Sequence, residues 1–228
     1  MGEVISTVDN IQFKTLQSTM KSGTKNGAFY YAQEIEKNIA PLLKTDRPID
    51  TLTFRGNGTA DHAICFLHHN LDHDEIYAWL DKYKDLVLVC SSMVTYEWAK
   101  SRKKKAIYLP LSVDVDYVKQ FRCKKKFGAC YAGNIWKFKR NYIEKYVPVG
   151  TDFQPKDISR EELLRFIAPY RQCYAVGRCA IEAKILGCEI LVCDDRYPDP
   201  DYWEVLDNKD AAVMLQRELD KIDKKRKR

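Results

Sequence analysis

Residues 172–176 (QCYAV) form a strand-like run, followed by Gly177, Arg178, Cys179 and, about one helical turn on, Glu182. A glycine at such a turn lets the backbone approach a ligand closely. The helix that follows presents free N–H groups and the positive end of its dipole to an anion. Arg178 adds a cation, and Glu182 a carboxylate able to accept hydrogen bonds from a vicinal diol. Residues of these types in this order suit a diphosphate joined to a ribose. They also suit a plainer arrangement, an exposed helical carboxylate with Arg178 as its i,i+4 partner.

A second group follows the strand-like run 127–133 (FGACYAG): Gly133, Asn134, Lys137, Lys139 and Arg140. In open α/β sheets, ligands bind outside the carboxyl ends of the strands. Cations at such an end are placed to neutralise a diphosphate; otherwise they form a solvated basic turn. Their close spacing does not single out which of the three points inward. Asp194 and Asp195 end another strand-like run, 188–193 (CEILVC), and either line a cleft or cap the final helix. Asn57 and Gly58 in the RGNGT loop, and Gly27 before the first helix, are further candidates for a cleft lining.

The elements that must position these residues alternate. Helical spacing of Tyr31, Ile35 and Ile39 predicts a helix over 27–40, ended or kinked by Pro41. Strands are expected at 49–55, 62–68, 85–90 and 106–110, with helices at 72–83 and at 93–101, the latter capped by Ser91 or Ser92. In the second half, strands are expected at 127–133, 146–150, 172–176 and 188–193. Helices are expected at 139–145, from Ser159, at 178–186 closed by Gly187, and over much of 202–225. Such alternation implies an α/β fold with parallel sheets flanked by helices. Two small Rossmann-like lobes fit the length better than one long sheet: an N-terminal lobe at 1–118, a C-terminal lobe at 119–220 and a basic tail at 221–228.

The 228 residues carry 38 Lys and Arg against 32 Asp and Glu, a net charge of +6. The last eight, KIDKKRKR, hold six basic residues and one acid, or +5, which leaves +1 for residues 1–220. A basic face spread over the whole molecule is therefore not expected, although the tail and the runs at 102–105 and 124–126 could track a nucleic acid backbone. No apolar run nears the ~20 residues of a membrane helix. The N-terminus lacks the pattern of a signal peptide, while MGEVIS fits the loose N-myristoylation pattern. Eight cysteines lie mostly in apolar runs, without CxxC pairs or zinc spacing, which suits a reduced cytoplasmic protein with no metal site.

Three of these stretches, in order, resemble a known family. DLVLVCSSMVTYEWAKSRKKKAIYLPLSVDVDYV at 85–118 resembles the end of the N-terminal lobe in GT-B glycosyltransferases of the sucrose- and glycogen-synthase-like group, with Pro110-Leu111-Ser112-Val113-Asp114 where the family has P-N-G-V-D. GACYAGNIWKFKR at 128–140 looks like the first C-lobe strand and its glycine turn, and QCYAVGRCAIEAKILGCEILVCDD at 172–195 like the donor-site unit. The resemblance covers roughly 60–205. It implies transfer of a sugar from a UDP- or GDP-sugar to an acceptor in an interlobe cleft, without a bound metal. It further implies that Gly133, Asn134, Lys137, Arg140, Gly177, Arg178, Cys179 and Glu182 hold the donor. His68 and His69, at the end of HAICFLHH, would bind a sugar hydroxyl or act as a base; at a strand end they equally suit polar caps. Retaining members often carry a glutamate eight residues before the one matched by Glu182, and here that position is Tyr174. Two other functions therefore stay open: a non-catalytic nucleotide or nucleotide-sugar binding module, and a glycosyltransferase that modifies DNA bases.

Overall fold

The computed structural model describes residues 27–52, 62–67, 80, 83–124, 126–133, 145–156 and 158–226. They divide into two compact units, Met1–Leu111 with Asn208–Arg228, and Ser112–Asp207.

The first unit is built on a parallel sheet whose strands run in chain order: β1 (Ile49–Leu52), β2 (Ile64–Leu67), β3 (Val87–Cys90) and β4 (Lys105–Tyr108). Every residue of β2 and β3 is buried, which explains why ICFL and VLVC are unbroken apolar runs: both faces of a central parallel strand are covered. Helix α1 (Gly27–Glu34) runs on into a π-helical turn, Ile35–Ile39, and a 3₁₀ turn, Ala40–Leu42. Pro41, which has no N–H to donate, falls in that last turn, so the helix tightens and stops. Helix α2 (Met93–Ser101) begins where expected: the Ser92 hydroxyl accepts the Thr95 N–H at 3.2 Å.

The long C-terminal helix of this unit is named α6 (Asn208–Arg226). It packs its Ala211, Leu215 and Leu219 stripe inward. Its far end is held by Arg47, which is fully buried. Arg47 donates from Nη2 to Asp223 Oδ1 at 2.8 Å, and from Nη1 to the His62 and Asp85 carbonyls at 2.9 and 3.1 Å. Residues 221–226 of the basic tail therefore continue this helix, tied through Asp223 to Arg47.

The second unit holds a separate parallel sheet: β5 (Phe127–Ala132), β6 (Asp152–Phe153), β7 (Tyr170–Ala175) and β8 (Glu189–Leu191), in the order β6-β5-β7-β8. Its helices are α3 (Val115–Lys119), α4 (Arg160–Ile167) and α5 (Arg178–Ile185). Asp114, from the PLSVD segment, caps α3 by accepting the Tyr117 N–H at 2.9 Å. Ser159 and Glu162 close a reciprocal capping box on α4. The strand expected at 146–150 is not formed. Pro148 and Gly150, with φ of 91°, turn the chain there, and the strand follows at Asp152–Phe153. Most of each of the helices expected at 139–145 and 72–83 lies outside the described residues.

Candidate functional site

The strand order of the second unit determines where a ligand would enter. From β5 the chain goes to one side, to β6, and then crosses to the other side for β7 and β8. Such a reversal opens a crevice outside the carboxyl ends of the two central strands. Gly133 directly follows β5, and Gly177 comes two residues after β7, so both glycines named from sequence stand at this crevice. Among the described strands of the first unit, the order is sequential and has no such reversal.

Gly177 caps α5 with φ of 63° and ψ of −136°, a region that essentially only glycine occupies. Its carbonyl already accepts the N–H groups of Ala180 and Ile181, at 3.1 and 3.2 Å. Gly133 is crowded: a Cβ there would come within 3.1 Å of the Tyr131 hydroxyl. Its N–H donates to Gln154 Oε1 at 2.9 Å, which ties the end of β5 to the segment after β6.

Glu182 is buried inside the unit, with 2% of its side chain exposed. Its Oε1 accepts from Arg178 Nε at 2.9 Å and from Arg160 Nε at 3.0 Å. The i,i+4 pair with Arg178 is therefore present, but in the interior. Arg160 also lies over the Tyr117 ring, 5.0 Å from its centroid, so one carboxylate joins α3, α4 and α5. One carboxylate thus fixes the guanidinium groups of Arg178, at the start of α5, and Arg160, at the start of α4. This geometry gives Glu182 the work of holding the arginines. Burial and then the Glu182 charge push the Cys179 thiol up to about 12, so it stays protonated at neutral pH.

Arg160 is absent from the residues named from sequence. It precedes Glu182 by 22 residues, and only the acids beside it in the first turn of α4 carry a recognisable local signal. Asp194 and Asp195 do not cap the last helix, which starts at Asn208. Asp194 Oδ2 accepts from Arg196 Nη2 at 2.6 Å, and Asp195 bonds Lys145 and Tyr146. His68, His69, Asn57, Gly58, Asn134, Lys137, Lys139 and Arg140 lie outside the described residues. Among the described residues, no group of three or more His, Cys, Asp or Glu side chains could hold a metal ion. No helix there is long and apolar enough to cross a membrane.

No family model matches the chain, and neither curated proteins nor solved structures give a significant match.

Proposed function

We propose that the chain is a compact glycosyltransferase of the GT-B kind, which binds a nucleotide sugar at the crevice of its Ser112–Asp207 unit. The observation that carries this reading is the reversal of strand order between β5 and β7, with a required glycine and a fixed Arg178 at the same end. A diphosphate needs positive charge that does not have to reorganise when the anion arrives or when the leaving group develops charge. Arg178 and Arg160, locked by Glu182, supply it. The nucleotide is UDP or GDP, and the acceptor is served by the first unit, where His68 and His69 are the candidates for the sugar hydroxyl or the base. No metal is required.

Tyr174, in place of the first of the paired glutamates, favours a second reading: a module that binds the nucleotide sugar without turning it over. One experiment separates the two. Thermal denaturation is recorded with a panel of UDP- and GDP-sugars, followed by a search for released nucleotide diphosphate. A ligand at 100 times its dissociation constant stabilises the folded state by about 2.7 kcal/mol. Stabilisation with release of diphosphate supports the transferase, and stabilisation without release the module. No stabilisation by any nucleotide or nucleotide sugar overturns both.

A further inference from the structure

A second polar cluster stands at the same end of this sheet. Lys145 Nζ lies 3.0 Å from Asp195 Oδ2 and 3.0 Å from the Tyr146 hydroxyl, and that hydroxyl donates to Asp195 Oδ1. The Lys145 ammonium and the Tyr146 O–H thus meet different oxygens of the Asp195 carboxylate. Lys145 also lies over the Tyr146 ring, 4.8 Å from its centroid.

The sheet order shows what this contact spans. Lys145 and Tyr146 belong to the segment leading into edge strand β6, and Asp195 to the segment leaving the opposite edge strand β8. A bond between them bridges the two central strands. Tyr146 is anchored there: it packs with Tyr174 and Val176 against Tyr131, Val147 and Cys193. Tyr131 and Tyr174 lie in β5 and β7, and Val176 adjoins Gly177. The strap therefore crosses beside the crevice described above. Lys145 and Asp195 are each well exposed, at 59% and 61%, so a solute can reach the pair.

We infer that Lys145 and Tyr146 form a subsite for a phosphate group, and that the Asp195 carboxylate occupies it as an internal stand-in that an incoming phosphate displaces. The inference rests on reading this unit as a binder of nucleotide phosphates. A carboxylate and a phosphate oxygen pair ask for the same two donors. An exposed ion pair is weak, so phosphate outcompetes Asp195 at a modest cost in affinity. The first contact of the ligand with the protein is then an exchange of anions on Lys145, which releases the Asp195 side chain.

Titration calorimetry of the full chain with inorganic pyrophosphate tests this, using wild type, Asp195→Asn, Lys145→Met and the double variant, each checked for an unchanged melting transition. Loss of a weak competing pair predicts that D195N binds pyrophosphate about two- to fivefold more tightly than wild type. K145M should bind more weakly than wild type, and the double variant should lose the gain. Equal or weaker binding by D195N, a gain that survives in the double variant, or no binding by any form overturns the inference. A UDP- or GDP-sugar titrated into the same samples separates it from the broader reading. If a nucleotide sugar binds but D195N changes nothing, only the subsite fails. If D195N binds pyrophosphate more tightly while no nucleotide sugar binds, the subsite stands and the nucleotide-sugar reading fails.

Discussion

Glu182 Oε1, on a carboxylate buried one helical turn inside α5, accepts the Nε–H of Arg178 at 2.9 Å. Because Arg160 bonds the same oxygen, removing the negative charge takes from two guanidinium groups a buried carboxylate that they share. Breaking a buried pair from one side costs about 3 kcal/mol or more. Glu182→Gln is therefore expected to lower the unfolding free energy by that order, with a lower urea midpoint, and to weaken nucleotide binding in whatever fraction stays folded. An unchanged midpoint would show that the arginines are held by something other than Glu182.

Gly177 makes an independent prediction, since its φ of 63° with ψ of −136° is closed to a side chain whatever the surroundings. Gly177→Ala should cost about 1–3 kcal/mol through backbone strain. It should also shift the first turn of α5, and ligand affinity with it. Urea unfolding and the nucleotide-sugar thermal shift together test this; full stability in the variant would mean that the turn relaxes freely.

The basic tail was open to a purely electrostatic role, but Asp223 within it reaches the fully buried Arg47. Deleting residues 221–228 is accordingly expected to destabilise the first unit as well as remove charge. Losing one partner of that pair should cost on the order of 2–3 kcal/mol, because Asp223 is only partly buried. A cleaner test of nucleic acid binding replaces Lys224, Lys225 and Arg226 with Gln and keeps Asp223. If the tail tracks phosphates, duplex binding should weaken and its salt dependence flatten with stability unchanged. Binding absent even at low salt in the unaltered chain rules the role out.

Stability should also fall on the alkaline side. Burial pushes the Cys90 thiol from 9.0 up to about 12, and burial followed by the Asp194 charge does the same to Cys193. Below about pH 9 both thiols are neutral in folded and unfolded chains, so their contribution is complete. Between about 9 and 12 only the unfolded chain ionises, and each thiol then costs about 1.4 kcal/mol of stability per pH unit. Urea midpoints at pH 8 and pH 10 should differ accordingly; a flat profile would show that the thiols reach solvent.

Much of the secondary structure was legible because its causes are local. Ser92, Ser159 and Gly187 mark helix ends by chemistry confined to one turn, and ICFL and VLVC are apolar throughout because central parallel strands are buried on both faces. The run 146–150 misled because YVPVG has strand composition, yet Pro148 and Gly150 turn it. Of the candidate site, the glycines and Arg178 were legible from their order after a strand. The partners that determine what the site can do were not: Arg160 meets Glu182 across 22 residues, Tyr146 meets Asp195 across 49, and Arg47 meets Asp223 across 176. Such pairings come from tertiary packing and leave no periodic trace.

In the proposed function, a nucleotide diphosphate group binds where α5 begins. Titration calorimetry of a UDP- or GDP-sugar into wild type and Arg178→Ala measures it most directly, with Arg178→Lys to separate charge from geometry. Wild type is expected to bind. R178A should lose affinity about tenfold or more, the scale of one charge-assisted hydrogen bond, with partial recovery in R178K. Equal affinity in wild type and a folded R178A, or no binding by wild type at all, would contradict it.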